Sequence, residues 1–259
     1  MDAQTHQAVL LITSCVIIAD DDAVLRDPQD RIHHTLEAIE HWIRIAPDLP
    51  KVICDGSNFD FSQTLTEKFP GHAFECLFFQ NNQEKVKLQG KGYGEGEIIE
   101  YALDHSQLIQ ASGRFIKCTG KLWVENFPEC FNSVYNLFQA SAYFKDVFKL
   151  FKKTSLEYVD TRFYISSVEL YKKYFLKAYE LVGLSDQRSI EHVFKDIILE
   201  HHLEGTLFRT HPVICGVGGG HGQYYKNNLK RRIKDRLRLN FIKSSTTYQW
   251  LFTKDSMAG

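Results

Sequence analysis

KGYGEGEIIEYALDHSQLIQASGRFIKCTGKLWVEN, residues 91–126, is the stretch that decides the fold. Glycines alternate at Gly92, Gly94 and Gly96, which predicts a loop whose backbone N–H groups can approach an anion. Apolar residues at helical spacing follow, and RFIKCT at 114–119, bounded by glycines, alternates as a strand does. This order predicts an α/β sheet, whose ligands bind at its carboxyl edge. The alternative is a surface hairpin beside an ordinary core strand.

The composition is that of a soluble globular protein and excludes several classes. Of 259 residues, 44% are hydrophobic and 24% are charged, and the net charge of −1 leads us to expect no nucleic-acid partner. Six cysteines without a C-x-x-C pair, and histidines that lack zinc-ligand spacing, favour free thiols in a reducing cytoplasm. The first apolar run lacks a basic leader and meets Asp20-Asp21-Asp22, so we expect a strand and not a signal peptide.

Strands and helices alternate in the first half of the chain. Apolar runs at 8–18, 51–54 and 74–79 indicate buried strands, with helices over 31–45 and 59–69 between them. This β-α-β-α-β order requires a mainly parallel central sheet flanked by helices. The remaining predicted elements are an aromatic-rich helix over 127–153, a strand over 157–167, helices over 168–181 and 189–202, and a glycine-rich loop at 216–222.

The chain divides into a body and a basic tail. We predict one α/β domain over 1–225 and a helical extension over 226–259. The tail begins KNNLKRRIKDRLR, with seven Lys or Arg, one Asp, and Leu229, Ile233 and Leu237 on one side of a helix. Such a basic amphipathic helix lies on an anionic membrane surface, meets a phosphate-bearing acceptor or nucleic acid, or docks its apolar stripe on the domain.

Chemically suitable side chains follow the predicted strands. The loops at 13–31, 55–58, 91–97 and 119–126 open on one edge if the sheet is parallel. Their hydroxyls, carboxylate, glycine N–H groups and cations together suit a nucleotide diphosphate. No P-loop or G-x-G-x-x-G fingerprint is present, which disfavours an ATPase or a dehydrogenase. The candidate donor-binding residues are Thr13, Ser14, Arg31, Asp55, Gly56, Ser57, Lys91, Gly92, Tyr93, Gly94, Glu95, Thr119, Gly120, Lys121 and Arg162.

Over about residues 8–225 the order of these segments resembles the GT-A-fold glycosyltransferases of bacterial capsule, O-antigen and lipooligosaccharide synthesis. VICDGSN (52–58) is similar to the turn in which an Asp, here Asp55, contacts the nucleobase or ribose. KGYGEGEIIEYAL (91–103) and FIKCTGKLWVEN (115–126) are similar to a KGxGE…K-x-[ST]-G-[RK] pattern of certain bacterial transferases. The resemblance implies a cytoplasmic or peripheral inner-membrane enzyme that moves a sugar from a nucleotide-sugar donor to a saccharide or lipid-linked acceptor.

The chain departs from the resembled family at its metal site. GT-A enzymes hold Mn²⁺ or Mg²⁺ with an Asp-x-Asp after the fourth strand, where this chain has Thr119-Gly120-Lys121. Asp20-Asp21-Asp22 follows the first strand, too early for that role. We therefore expect Lys121, with Lys91 or Arg162, to neutralise the leaving diphosphate without a metal. A divalent metal stays open as a cofactor.

Transfer to a hydroxyl with inversion needs a general base, usually a carboxylate. The resemblance places it near the start of a late helix, where Asp186 and Glu191 stand, and the positive end of the helix dipole favours an ionised carboxylate there. A helix cap for Asp186 and an ordinary first-turn charge for Glu191 are equally open. Asp160, at a strand start, is a third candidate. His221 contacts acceptor or phosphate, or else lies in a mobile glycine-rich loop.

Two other classes of function stay open. A sugar-phosphate nucleotidyltransferase shares the α/β topology, but it would show a G-x-G-T-R-like glycine loop just after the first strand, which residues 13–26 lack. A non-catalytic binding or scaffold protein could keep a degenerate nucleotide fold and use its basic tail. Failure to bind any nucleotide would favour the scaffold.

Overall fold

The computed structural model describes residues 8–18, 24–131, 138–149, 151–183, 188–219, 222–225 and 227–252. The strands are Val9–Ser14 (β1), Lys51–Asp55 (β2), Phe74–Phe78 (β3), Arg114–Thr119 (β4), Leu122–Val124 (β5), Phe138–Lys145 (β6), Ser155–Ser167 (β7) and Ile214–Gly216 (β8). The helices are Pro28–Ile45 (α1), Ser62–Lys68 (α2), Gln83–Gln89 (α3), Lys91–His105 (α4), Gln107–Ser112 (α5), Phe127–Phe131 (α6), Val168–Tyr174 (α7), Ile190–Glu200 (α8) and Leu229–Lys243 (α9).

A six-stranded sheet in the order β3-β2-β1-β4-β7-β6 forms the centre of the protein. β1 pairs in parallel with both β2 and β4, β2 pairs in parallel with β3, and β7 runs antiparallel between β4 and β6. The prediction of a mainly parallel α/β sheet flanked by helices is therefore confirmed. In the register, Thr13 lies opposite Thr119 and Ser14 lies opposite Asp55, so three strands end together at one carboxyl edge.

Helices cover the sheet on both faces. All six residues of β1 are buried, as expected for a continuous apolar run in a central strand. On one face Ile39 and Trp42 of α1 pack in an apolar cluster with Leu10, and on the other Ile99 of α4 packs in a cluster with Leu11. α1 begins where the Asp27 carboxylate accepts hydrogen bonds from the first-turn N–H groups.

The glycine-rich stretch is a helix and not the predicted loop, because α4 already begins at Lys91. Its glycines are explained by close packing. A Cβ on Gly96 would lie 2.2 Å from the Cβ of Tyr179, and one on Gly94 would lie 2.9 Å from the side-chain amide of Asn81. These positions need glycine because neighbouring side chains fill the space that a larger residue would take.

The predicted aromatic-rich helix over 127–153 is also wrong. Only Phe127–Phe131 is helical, and Phe138–Lys145 is strand β6, paired antiparallel with β7. Aromatic residues fit strands at least as well as helices, so their spacing alone did not decide between the two. The predicted helix over 168–181 is likewise shorter, since α7 ends at Tyr174 before a separate 3₁₀ turn.

The basic tail forms α9, which lies against the domain through its last turns. Ile242 is buried, as are Leu251 and Phe252 beyond the helix, and all three belong to the apolar cluster that includes β4. The division of the chain at residue 225 stays a prediction. Among the described helices, none combines the length and the apolar content that crossing a bilayer requires.

Candidate functional site at the carboxyl edge of the sheet

Glu95 joins the strand ends at the carboxyl edge. It lies in the first turns of α4, and its Oε1 accepts hydrogen bonds from the hydroxyls of Thr13 (3.2 Å) and Thr119 (2.9 Å). The expectation that the 91–97 stretch and the ends of β1 and β4 share one edge is thus confirmed. The side chain of Glu95 is 23% exposed, and its Oε2 makes no hydrogen bond within the part of the chain that the structure describes.

Lys117 is a buried cation at this edge that the sequence analysis missed. Its ammonium, 0% exposed, donates to Glu95 Oε1 (2.6 Å), Thr119 Oγ1 (2.9 Å) and the backbone oxygen of Thr161 (2.6 Å). An ammonium has three donors, so all are used. Burial alone would raise the pKa of Glu95, but Lys117 and the hydroxyls outweigh it and lower that pKa. The available signal was a lysine inside the apolar strand RFIKCT.

The Asp55-Gly56-Ser57 turn is tied to the end of β1. Asp55 is fully buried: Oδ1 accepts from the backbone N–H and hydroxyl of Ser57 (2.7 and 2.6 Å) and from Phe59 N (3.3 Å), and Oδ2 accepts from Val16 N (3.0 Å). Gly56 N donates to Ser14 O (2.9 Å). Both carboxylate oxygens therefore hold backbone, and the contact of Asp55 with a base or ribose stays a prediction.

Arg31 anchors the loop between β1 and α1. Its Nε donates to Cys15 O (2.7 Å) and its NH1 donates to Leu25 O (2.9 Å). The side chain is buried, and burial lowers its pKa from the ordinary value of arginine. A guanidinium is thereby fixed beside the carboxyl edge.

Lys121 follows directly after the end of β4, beside the end of β1. Gly120 N donates to Thr13 O (2.8 Å), and a Cβ on Gly120 would lie 2.6 Å from that same oxygen. Only glycine fits at this close approach, which places the next residue at the edge of the sheet. Gly219 approaches from the other side, since a Cβ there would lie 3.9 Å from Lys121 Nζ.

The ammonium of Lys121 differs from that of Lys117 in having no partner among the residues that the structure describes. The residue is 6% exposed, and within the described chain its Nζ makes neither a hydrogen bond nor an ion pair. Burial first, and then the charge of Arg31, lower the pKa of Lys121 to about 7. Two buried cations at the same edge favour an anionic ligand, whereas divalent metal ions bind oxygen ligands.

Of the three predicted bases, Glu191 connects to this site. It stands half-buried in the first turn of α8, and its Oε1 accepts from the hydroxyl of Thr161 (3.3 Å). The backbone oxygen of Thr161 accepts from Lys117, which in turn holds Glu95. The predicted base and the predicted donor-binding residues thus belong to one hydrogen-bonded chain.

Asp160 and Arg162 form a closed pair. The carboxylate accepts from Arg162 Nε (2.8 Å) and NH2 (2.5 Å), and the guanidinium lies over the ring of Tyr225 at 4.9 Å. Burial would raise the pKa of Asp160, but the guanidinium of Arg162 outweighs burial and lowers that pKa. A carboxylate with a lowered pKa is a poor proton acceptor. Asp186 and His221 lie outside the described residues, as does Asp20-Asp21-Asp22.

Other predicted site residues of α4 face the core or the solvent. Tyr93 is buried against Tyr179, with ring centroids 4.9 Å apart, and a Cβ on Gly92 would lie 3.2 Å from Ile190. Lys91 is exposed at the start of the helix. Their predicted contacts with a donor stay predictions, and the packing explains their residue types without a ligand.

One group of potential metal ligands stands on α1. His33, His34 and Glu37 place their ligand atoms within 4.8 Å of one another, and Tyr224 OH donates to Glu37 Oε2 (2.8 Å). None of the predicted site residues belongs to this group, and exposed clusters of this kind are common without an ion.

No family model matches the chain, and no curated protein matches it in sequence. Among solved structures it is similar to the inositol-1-phosphate CTP transferase from T. maritima (TM-score 0.49, 11% identity, 92% of this chain and 98% of that chain). It is also similar to mouse xyloside xylosyltransferase 1 (TM-score 0.44, 11% identity, 77% and 83%). A third is the galactosyltransferase LgtC in complex with donor and acceptor sugar analogues (TM-score 0.42, 8% identity, 71% and 69%).

Glycosyltransferases are among these structures, as the resemblance in sequence predicted. A nucleotidyltransferase stands beside them. Each TM-score lies below 0.5, so no statement about substrates rests on these similarities. The function of the chain is therefore argued from the residues at the carboxyl edge.

Proposed function

We propose that the protein is a nucleotide-sugar-dependent glycosyltransferase whose donor diphosphate is held by Lys121 without a metal ion. The observation that carries the proposal is the buried Lys121, whose ammonium has no partner among the described residues, beside the buried guanidinium of Arg31 at the carboxyl edge of a mainly parallel sheet. A buried charge without a partner is costly, and an anionic ligand would remove that cost. Open α/β sheets bind their ligands at this edge.

Lys121 stands where the resembled family carries its metal-binding carboxylates. A preorganised cation at a developing phosphate charge stabilises the transition state in the same electrostatic sense as a metal does. Arg31, fixed by two backbone oxygens, would add a second positive charge on the same side. The leaving nucleoside diphosphate would thus meet two cations that need no reorganisation.

Glu191 is the proposed general base. In the transfer step its carboxylate takes the proton of an acceptor hydroxyl while that oxygen bonds to the anomeric carbon of the sugar. The bond from that carbon to the diphosphate breaks, its electron pair leaves with the diphosphate, and the configuration inverts. Glu95, with one oxygen held by Lys117 and the other open to the cleft, would bind a sugar hydroxyl of the donor.

The acceptor in this proposal is a saccharide or a lipid-linked saccharide. A role in capsule, O-antigen or lipopolysaccharide synthesis rests on the sequence resemblance alone. The donor sugar and its base would be set by the shape of the bound-state pocket, since one fold serves many donors.

A thermal-shift panel tests the proposal. The protein is heated with UDP, GDP, CMP and ADP, each in Mn²⁺ and in EDTA, and Lys121→Met is run beside it. Ligand at about 100 times its dissociation constant adds about 2.7 kcal/mol, a shift of several degrees. We expect one nucleotide to stabilise the wild-type protein in EDTA and not the variant. Loss of the shift in EDTA would refute the metal-free site, and no shift with any nucleotide would favour the scaffold.

A further inference from the structure

Helix α9 turns an apolar stripe toward solvent. Leu229, Ile233, Leu237 and Phe241 are each between 51% and 73% exposed. They recur every four residues and so form one stripe, about 18 Å long at the rise of an α-helix. A contiguous exposed apolar surface of this kind marks an interaction site.

The opposite face of α9 is the one that packs on the domain. Asp235, Arg238 and Leu239 are half-buried and Ile242 is buried. Arg238 lies over the rings of Tyr143 and Phe148 at 5.4 and 6.0 Å. The sequence analysis left open that the stripe docks on the domain, and the structure shows the reverse orientation.

Basic residues border the stripe on both sides. At the 100° spacing of a helix, Lys230 and Lys234 lie along one margin and Arg232 and Arg236 along the other, and all four are exposed. Arg232 pairs with Glu125, whereas the other three make no ion pair with any described residue. The stripe is thus an apolar band set between rows of positive charge.

The loop between β6 and β7 extends this face. Phe148 is 52% exposed, and its ring centroid lies 6.2 Å from that of Phe241 at the end of the stripe. Phe151, in the same loop, is 96% exposed, and Lys152 follows it. The loop therefore repeats the combination of aromatic and basic side chains found on the helix.

We infer that this surface, the α9 face, binds an anionic lipid bilayer with the helix lying in its interface. The α9 face comprises Leu229, Ile233, Leu237 and Phe241 with Phe148, and the basic residues beside them. Apolar side chains enter the headgroup boundary while lysine and arginine meet lipid phosphates, which is how interfacial helices bind. A second copy of the chain would bring seven basic residues and one acid of α9 against the same set, so like charges would oppose it.

Flotation with vesicles tests the apolar part of the proposal. The full chain is mixed with vesicles of phosphatidylcholine and phosphatidylglycerol in equal amounts, or of phosphatidylcholine alone. We expect it to float with the anionic vesicles only. Ile233→Ser with Leu237→Ser should lower the partition coefficient at least about tenfold. Leu88→Ser with Leu108→Ser, two exposed apolar residues elsewhere, should leave it unchanged.

The charged part has its own matched pair of variants. Lys230→Glu with Lys234→Glu should abolish flotation with anionic vesicles, and Lys85→Glu with Lys87→Glu on α3 should not. Added salt should weaken binding of the wild-type protein, because exposed charges are screened. All four lysines are exposed, so equal thermal midpoints will show that folding is intact.

Three results would overturn the inference. Wild-type protein that stays unbound with anionic vesicles refutes it, and so does equal flotation of the α9 variants and their controls. A concentration-dependent dimer that Ile233→Ser with Leu237→Ser abolishes, without vesicle binding, would identify a second copy as the occupant. None of these readouts uses a nucleotide, so they stand or fall apart from the proposed catalytic function.

Discussion

Lys117 and Lys121 are four residues apart on the same chain segment, and both bury an ammonium at the carboxyl edge of the sheet. Lys117 gives its three protons to three oxygens, of Glu95, Thr119 and Thr161. Lys121 gives none to any described residue, and after burial the largest effect on its pKa comes from the like charge of Arg31. Among the described residues, the same residue type therefore uses all its donors at one position and none at the other.

The difference separates architecture from ligand binding. Buried polar groups in folded proteins are nearly always hydrogen-bonded, so an exception needs an explanation. Lys117 ties β4, α4 and β7 together and needs no ligand. Lys121 makes no such bond with any described residue, so an anion can become its partner without displacing one of them.

The most disruptive way to test this contrast is Lys117→Met. The substitution keeps most of the side-chain volume but leaves Glu95 without its ion pair, and breaking a buried pair by removing one partner is strongly destabilising. We expect the free energy of unfolding in urea to fall by about 3 kcal/mol.

The double variant Lys117→Met with Glu95→Gln distinguishes a charge effect from poor packing. It removes both charges, so it should recover part of the lost stability. A double variant no more stable than Lys117→Met would show that packing, and not the pair, accounts for the loss.

The same substitution at the other lysine should act in the opposite way. Lys121→Met removes a desolvated charge that has no partner among the described residues, so unfolding in urea should show equal or higher stability than the wild-type protein. Sugar transfer should fall about a hundredfold or more, as when one preorganised transition-state donor is removed. Activity that survives this substitution would contradict the role of Lys121, and a stability loss like that of Lys117→Met would erase the contrast.

The strands that are buried on both faces of the sheet were predictable from the sequence. The apolar runs of β1, β2 and β4 are continuous and each is followed by a turn signal, so strand type, order and common edge all followed. The failures have one physical source. β6 is aromatic-rich, and only its pairing with β7 makes it a strand. The glycines of α4 suggested a loop because their close neighbours, Asn81 and Tyr179, are distant in sequence.

The sequence predicted which residues of the candidate site lie together, but it did not predict what each of them contacts. Thr13, Glu95, Thr119 and Lys121 do share one edge, because parallel strand ends converge there. No sequence pattern shows whether a buried charge is satisfied. The expected contact of Asp55 with a ligand stays a prediction, and the hydrogen bonds of its two oxygens to backbone N–H groups and Ser57 were not foreseen, nor was Lys117.

Glu191→Gln tests whether the hydrogen bonds around Lys117 also position the general base. The carbonyl of Thr161 accepts from Lys117 and its hydroxyl donates to Glu191, so Lys117 would help to hold the base. Lys121 would hold the leaving diphosphate at the other end of the same reaction. We expect the transfer rate to fall about a hundredfold, within the usual contribution of a general base, while nucleotide affinity stays the same. Glu200→Gln, at the far end of α8, is the control. A full rate for Glu191→Gln would remove it as the base.

The smallest expected effect is the pH dependence of nucleoside diphosphate binding, and it bears directly on the unsatisfied lysine. Because burial and Arg31 lower the pKa of Lys121 to about 7, its ammonium is largely charged below that pH and loses its proton above it. A diphosphate attracts the charged form, so affinity measured by calorimetry should weaken about tenfold from about pH 7 to about pH 9. Over this range the diphosphate gains only a small further negative charge, which acts in the opposite direction. Lys121→Arg keeps a charge throughout and should show a flat profile. An equally steep profile in that variant would assign the titration to another group at the edge and leave Lys121 without the proposed role.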